Sequence, residues 1–173
     1  KAYGDKAFKL KATVKKGNGK LSFKSSNTKV ATVGKTTGKV TIKGIGKCTI
    51  TVTAAATSTY NKRTVSVSLT VNPKQAALSS VKAVSGKKMT VKWKRDSKAT
   101  GYRIEYSLKK NFKGAKKVVI KKNKTTSTSI KKLTAGKKYY VRIRAYKTVK
   151  VNKKNVTLYG KWSKVKTSAK IKK

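Results

Sequence analysis

The sequence has no histidine, and its only acids are Asp5, Asp96 and Glu105. General acid–base catalysis needs a positioned group whose pKa lies near the working pH, and the three carboxylates are far apart in the chain. Calcium needs clustered oxygen ligands, and zinc needs histidine or several cysteines. The composition therefore argues against an enzyme and predicts neither a cofactor nor a metal site.

Cysteine, proline and methionine occur once each. Cys48 has no intrachain partner, and its alternation with Ile50 and Val52 predicts a small buried residue rather than a reactive thiol. No run is long and apolar enough to cross a membrane, so membrane insertion is not expected. The chain starts at Lys1 and its only methionine is Met89, so we expect a part of a larger protein whose targeting and anchoring signals lie elsewhere.

Positive charge is what the chain has in excess: 48 lysines and arginines against three acids give a formal net charge of +45. Only five of these cations are arginine, and lysine lacks the planar fork that binds phosphate in a bidentate way. One interpretation is diffuse attraction to polyanions. The alternatives are that lysine only solubilises an all-β surface and protects its strand edges, or that the chain is disordered, which its periodic runs argue against.

Short runs in which apolar and polar residues alternate recur along the whole chain, and no run has a helical period. Residues 7–12 alternate in this way, and a turn at residues 17–19 follows them. The clearest run places on one face Tyr139, Val141, Ile143 and Ala145. Turn residues separate the runs about every eight to twelve residues, which is typical of a β-sandwich.

The only proline, Pro73, lies in a short polar segment near the middle of the chain. We therefore predict an all-β fold of two tandem sandwiches, at residues 1–73 and 77–173, joined by a linker at residues 74–76. Residues 1–73 hold 15 cations and one acid, for +14, and residues 74–173 hold 33 cations and two acids, for +31. The charge is therefore concentrated in the second half.

The first half contains several short motifs that also occur in a known family. They are Ser25-Ser26-Asn27, Val30-Ala31-Thr32-Val33, Gly38-Lys39-Val40-Thr41 and Gly46-Lys47-Cys48-Thr49-Ile50-Thr51. With these motifs, residues 1–73 resemble the bacterial immunoglobulin-like group 2 domain. This resemblance implies an immunoglobulin-like sandwich.

The second half resembles a fibronectin type III domain over residues 77–173. The residues that carry the resemblance are two alternating strands, a tyrosine corner and an aromatic motif: Met89, Val91, Trp93; Tyr102, Ile104, Tyr106; Leu133, Tyr139; and Tyr159-Gly160-Lys161-Trp162-Ser163. The resemblance implies that the phenol of Tyr139 bonds to backbone near the turn at Gly136. It also implies that the last strand begins at the aromatic motif.

The same resemblance implies that the strands with Arg103/Glu105 and Arg142/Arg144 are neighbours, with the last strand beyond them. Glu105 is then expected among guanidinium groups, and Trp162 is expected flat against Arg142 or Arg144. This face is either a basic aromatic surface that stacks on sugar rings or bases, or a structural ladder that covers the sheet. A ladder saturated by its own stacking would leave no surface for a ligand.

Two lysine-rich hairpins supply further candidate contacts. Together with the arginine face, the predicted polyanion-binding residues are Arg142, Arg144, Trp162, Arg103, Lys153, Lys154, Lys116, Lys117, Lys121 and Lys122. Runs of lysine are also what a solvated face contains, so the contacts are predicted from charge and not from geometry.

Both resemblances imply monomeric, non-enzymatic stalk or accessory modules of a bacterial surface protein, extracellular and associated with the cell surface or cell wall. The expected partners are anionic polymers: teichoic acid of the wall, sulfated or sialylated glycans, and DNA bound without sequence preference. One alternative is an adhesin whose loop tips recognise a host surface protein. Another is a spacer that binds nothing.

Overall fold

The computed structural model describes residues 1–173 and contains strands without helices, which confirms the predicted all-β fold class. The chain divides into two compact units, Lys1–Asn72 and Pro73–Lys173, and each unit has a hydrophobic core of its own. No helix is present that could span a membrane.

The first unit consists of two three-stranded sheets. Its strands are β1 (Phe8–Lys9), β2 (Leu21–Ser25), β3 (Ala31–Val33), β4 (Lys39–Ile42), β5 (Gly46–Ala54) and β6 (Arg63–Val71). One sheet has the order β1-β4-β3 and the other has the order β2-β5-β6. The longest pairing joins β5 to β6 over nine residues each.

The core of the first unit lies between these two sheets and consists of Val30, Ala31, Val40, Cys48, Ile50 and Val71. Cys48 is buried, as its alternation with Ile50 predicts. The valines at the other end of β6 face the same side but are uncovered: Val65 is 58% exposed and Val67 is 41% exposed. The core therefore covers only one part of the inner face of this sheet.

The strand predicted at residues 7–12 is much shorter in the structure. Only Phe8–Lys9 is a strand, and it pairs with β4 and not across the turn at Gly17. The amide of Leu10 still donates to the carbonyl of Gly38, at 3.0 Å, and residues 11–20 then form no strand. This stretch contains two glycines and four lysines, which are poor strand formers.

The Ser-Ser-Asn motif has a structural role at the end of β2. The amide of Ser26 donates to the carbonyl of Thr49 at 2.9 Å, and the amide of Thr49 donates to the Ser26 hydroxyl at 2.8 Å. The side-chain oxygen of Asn27 accepts from the amide of Lys29 at 3.1 Å. These bonds fasten the exit of β2 to β5 and satisfy the backbone of the following turn.

The second unit also contains two sheets. Its strands are β7 (Leu78–Val84), β8 (Lys88–Trp93), β9 (Gly101–Ser107), β10 (Lys116–Ile120), β11 (Ser127–Ile130), β12 (Tyr140–Val151), β13 (Lys154–Tyr159) and β14 (Lys166–Thr167). The smaller sheet has the order β11-β8-β7, and the larger has the order β10-β9-β12-β13, with β14 also paired to β12.

The core of the second unit confirms the alternation predicted for β8 and β9. Met89, Val91, Tyr102 and Ile104 have no exposed surface, and Trp93 is 3% exposed. The rings of Trp93 and Tyr102 meet edge to face, with their centroids 5.4 Å apart. Alternate residues of β12 complete the core from the larger sheet.

The tyrosine corner is present in the second unit, as predicted. The Tyr139 hydroxyl accepts from the amide of Thr134 at 3.1 Å and donates to the Thr134 hydroxyl at 3.3 Å. Gly136, in the turn between them, has a φ of +73°, a conformation that favours glycine. The corner fixes the chain as it enters β12.

The prediction that the last strand begins at the aromatic motif is wrong. β13 ends at Tyr159, residues 160–165 form no strand, and β14 has only two residues. The hydroxyl of Ser163 accepts from the amide of Ile143 at 3.1 Å while the amide of Ser163 donates to the Ile143 carbonyl at 2.8 Å. Ser168 repeats this arrangement with Tyr139, so hydroxyls replace the regular ladder along this edge.

The hairpin between β12 and β13 closes with Val151 opposite Lys154, so its loop has two residues. Both have positive φ, 49° at Asn152 and 65° at Lys153. This is the geometry in which Asn-Gly is preferred, because glycine has no Cβ to strain.

We expect Lys153→Gly to stabilise the second unit by about 1 kcal/mol, because it removes a strained left-handed residue from the turn. Urea unfolding followed by tryptophan fluorescence measures the effect, since Trp93 and Trp162 both lie in the second unit. Lys150→Gly removes the same charge within β12 and should instead destabilise by about 0.5–1 kcal/mol. Equal effects of the two substitutions would show that charge, and not the turn, is responsible.

Candidate functional site: an arginine and aromatic ladder

The central strands of the larger sheet place charged residues opposite one another on its outer face. Arg142 of β12 lies opposite Glu105 of β9, and Arg144 lies opposite Arg103. Ile104, the residue between Arg103 and Glu105, is fully buried in the core. Because side chains alternate between the faces of a strand, the charged residues must lie on the other side.

Glu105 lies among guanidinium groups, as predicted. Its Oε2 accepts from Nε of Arg142 at 3.0 Å and from Nη2 of Arg142 at 2.7 Å. Its Oε1 accepts from Nη2 of Arg103 at 2.7 Å. Only 8% of Glu105 is exposed, so the carboxylate is enclosed by the two arginines that neutralise it.

Trp162 lies between two arginines, which confirms the predicted stacking. The guanidinium carbons of Arg142 and Arg144 lie 4.4 and 4.3 Å from its ring centroid. Arg142 also lies 4.1 Å from the ring of Phe112, and Arg144 lies 3.9 Å from the ring of Tyr159. We call this series the arginine ladder: Phe112, Arg142, Trp162, Arg144 and Tyr159.

The arginine ladder, together with Glu105 and Arg103 beside it, carries more positive than negative charge. Burial would raise the pKa of Glu105, but hydrogen bonds from Arg142 and Arg103 outweigh it, so this pKa lies below its ordinary value. Burial lowers the pKa of Arg144, and the nearby charge of Arg103 lowers it further. The Nε atoms of Arg103 and Arg144 are buried without a hydrogen-bond partner. One carboxylate is therefore the counter-charge of three guanidinium groups, two of which it bonds directly.

Phe112 and Tyr159 are the ladder residues that the sequence did not identify as part of this face. Phe112 lies in the turn before β10 and has a φ of +60°, and only 9% of it is exposed. A single large apolar residue within a lysine-rich turn was the available signal. Tyr159 opens the aromatic motif, which predicts only the start of a strand.

The predicted lysines do not converge on the ladder. Lys116 and Lys117 begin β10, an edge strand, and Lys121 and Lys122 follow its end. Lys153 and Lys154 lie at the tip of the hairpin between β12 and β13. All six are exposed. The outer strands β10 and β13 are separated by two strands, or about 14 Å at the usual strand spacing, so these lysines present separate positive edges.

Glutamine and serine residues also support the position of Trp162. The Gln75 side chain donates to the Trp162 carbonyl at 2.6 Å. The adjacent Ser163 is bonded to Ile143 through both its amide and its hydroxyl. The indole is thus held on the sheet by its own backbone. The chain contains no cluster of histidine, cysteine or acidic residues that could hold a metal ion.

The fold and the site define the class of protein: it contains two immunoglobulin-type modules, one after the other in the chain. Residues 71–160 match the family described as the fibronectin type III domain, and residues 2–56 match the one described as the intimin immunoglobulin-like domain. The chain belongs to the fibronectin type III family. The predicted order, an immunoglobulin-like domain and then a fibronectin type III domain, is confirmed, although the matched immunoglobulin-like family is that of intimin.

Comparison with solved structures finds a myokine, with a TM-score of 0.44 and 16% identity over 58% of this chain and 99% of that one. The FN1–FN3 domains of chicken CNTN1 match with a TM-score of 0.49 and 17% identity. The match covers 90% of this chain and 57% of that one. The sixth fibronectin type III domain of human fibronectin type III domain containing protein 3 matches with a TM-score of 0.39 and 20% identity. That match covers 58% of this chain and 84% of that one. No curated protein matches the sequence.

The two domain families define a modular protein of the extracellular type. Domains of both kinds are typical of extracellular or surface proteins, and they are typically non-catalytic. Such folds carry many different activities, so the function has to be argued from the charges and surfaces of this chain.

Glu105→Gln should destabilise the second unit by about 2 kcal/mol, because it leaves two arginines without their counter-charge. The value is below that for a fully buried pair, since the arginine side chains are 28% exposed. Urea unfolding followed by tryptophan fluorescence measures it. Asp96→Asn, in the same unit, makes the same charge change but keeps an acceptor for the amide of Lys98, and should cost less than about 0.5 kcal/mol.

Acid should weaken the second unit through the same carboxylate. The folded-state pKa of Glu105 lies below its ordinary value of 4.5, so its contribution is complete above that pH and is lost as the pH falls through the folded-state pKa. We expect the urea concentration at the midpoint of unfolding to decrease as the pH is lowered below about 4.5, and to decrease less in Glu105→Gln. An equal fall in both proteins would assign the acid sensitivity to other groups.

Proposed function

We propose that the chain is a non-enzymatic stalk or accessory segment of a bacterial surface protein, and that it holds to anionic polymers through exposed lysines. The observation that carries this proposal is the imbalance of charge: 48 cations and three acids leave a formal +45. The polymers that fit are teichoic acid of the cell wall, sulfated or sialylated glycans, and DNA bound without sequence preference.

The geometry of the ladder supports a division of roles between arginine and lysine. Arg142 and Arg144 each contact two rings, and Arg142 and Arg103 share Glu105, so these groups are engaged within the unit. We therefore assign the arginine ladder to stability and the polymer contacts to lysine. Lysine is a flexible point charge, which suits a long anion without a defined shape.

The exposed lysines that flank β10 are the strongest candidates within the second unit. Lys116 and Lys117 on the strand and Lys121 and Lys122 after it give this edge four charges within seven residues. When a polymer lies along this edge, each of its phosphates or sulfates that pairs with a lysine would release its condensed counterions. Affinity should then depend on the number of charges more than on any one of them.

The long hairpin favours a second candidate, an adhesin that recognises a host surface protein. Beyond the pairing of Tyr146 with Gly101, residues 147–151 of β12 continue with β13 as their only strand partner. Asn152 and Lys153 form the tip of this extension. A specific receptor would depend on one or two tip residues, whereas a polyanion would not. A pure spacer would bind neither.

We expect the full-length chain to bind purified teichoic acid, heparin and duplex DNA with an affinity that falls steeply between about 20 and 500 mM salt. Replacing Lys116, Lys117, Lys121 and Lys122 together by Gln should reduce the slope of log K against log salt by up to about four, because each lysine that pairs with the polymer contributes about one to that slope. The control replaces four exposed lysines of the first unit, Lys29, Lys39, Lys43 and Lys47.

The control removes the same charge and should reduce the slope by less, because the second half of the chain carries the larger charge. Lys153→Ala should leave binding to each polymer within about twofold. Loss of polymer binding from Lys153→Ala alone would contradict diffuse attraction, because it would make binding depend on one residue at the hairpin tip. No binding to any of the three polymers near physiological salt would overturn the proposal and leave the adhesin or the spacer.

A further inference from the structure

An apolar cleft of about 420 Å³ opens in the first unit. Its apolar side chains come from the inner face of the β2-β5-β6 sheet and from the segment after β1: Leu10, Val14, Leu21, Val52, Val65 and Val67. Val65 and Val67 are the most exposed of the valines on the inner face of β6. A cleft of this size is within the range that ligands occupy.

One side of the cleft is an unpaired strand edge. β6 lies at the end of its sheet, and its residues 63–69 pair with β5 alone. The start of the chain already uses the far end of this edge. The amide of Tyr3 donates to the carbonyl of Asn72 at 2.8 Å, and the amide of Asn72 donates to the carbonyl of Lys1 at 2.9 Å. Ala2 and Asn72 thus form a parallel bridge, beyond which the edge is open.

The remaining side of the cleft is positively charged. Lys11, Lys15 and Lys16 lie on the segment after β1, and Arg63 is on the same face of β6 as Val65. None of the residues that line the cleft is acidic. Lysine side chains are long enough to cover apolar surface while their charges stay in water, so they can reach a carboxylate at the mouth of the cleft.

We propose that this cleft and the open edge of β6 bind an extended peptide segment of another protein, in which apolar residues alternate with aspartate or glutamate. The peptide backbone adds a strand to residues 63–69 of β6. Its apolar side chains enter the cleft against Val65 and Val67, and its carboxylates lie within reach of the surrounding lysines and Arg63. Backbone bonds provide affinity in such strand addition, and alternate side chains provide selectivity.

Two other occupants fit the observations less well. A second copy of this chain would bring a formal charge of +45 against another +45, and like charges oppose that association. A long-chain carboxylate would use the apolar cleft and the cations but would leave the backbone edge of β6 unused. An acidic, alternating peptide uses all three features.

The test is a titration of the full-length chain with a labelled octapeptide of alternating Val and Glu, acetylated and amidated at its ends. One control peptide has the same sequence with an N-methyl group on every amide, which removes the donors along both edges and blocks strand pairing. A second control is octaglutamate, which measures diffuse attraction to any polyanion, and a third is laurate. Fluorescence anisotropy gives the affinities, and amide NMR shifts locate the site.

We expect the alternating peptide to shift the amide signals of residues 63–69 and to bind at least about tenfold more tightly than either control peptide. Val65→Gln with Val67→Gln should weaken binding about tenfold, because the apolar surface that these valines offer to the peptide is removed. Thr64→Gln with Ser66→Gln alters the opposite face of the same strand and should change affinity less than about twofold. All four residues are exposed, so the folds should be retained.

Equal binding of octaglutamate would reduce the interaction to charge and overturn the proposal. Equal binding of the N-methylated peptide, or binding of laurate without the peptide, would exclude strand addition. Amide shifts confined to the second unit, or no shifts at all, would also overturn it. None of these results bears on the lysines at the β10 edge, so polymer binding is tested separately.

Discussion

The outer face of the second unit depends on the ion pairs that Glu105 forms with Arg103 and Arg142. The strand pairing brings Arg103, Arg142 and Arg144 to one sheet, and one enclosed carboxylate holds two of them directly. With the guanidiniums fixed in this way, aromatic rings can stack on them and cover the sheet. The polar groups that would otherwise repel one another instead form a layer that shields the core strands from water.

The two units show how a chain with so few acids can still fold. In the second unit, the arginines that the strand pairing brings close together lie around one carboxylate and beside aromatic rings. Most other cations are lysines, and these lie on exposed edges and loops where solvent and salt screen them. In the first unit the sandwich is only partly filled, and an inner face remains open beside lysines. The arginines at the centre of the second unit are thus held by contacts within it, whereas most lysines remain in contact with solvent.

The sequence predicted what depends on local alternation and failed where burial depends on distant segments. The buried faces of β8, β9 and β12 follow from residues two apart, whereas the tyrosine corner follows from the family resemblance that Leu133 and Tyr139 carry. Phe112 joins the ladder only because a turn after β9 returns over the sheet, which no local pattern contains. Val65 and Val67 alternate as perfectly as any core strand, yet they are exposed because the opposite segment forms no strand.

The hydroxyls of Ser163 and Ser168 have a consequence for molecules held close together on a surface. Each hydroxyl accepts a β12-side amide and donates to the carbonyl of the following residue, so one atom satisfies two backbone groups. A chain segment bonded in this way presents no regular row of donors and acceptors to a neighbour. Copies held close together are therefore not expected to pair with one another through residues 160–168.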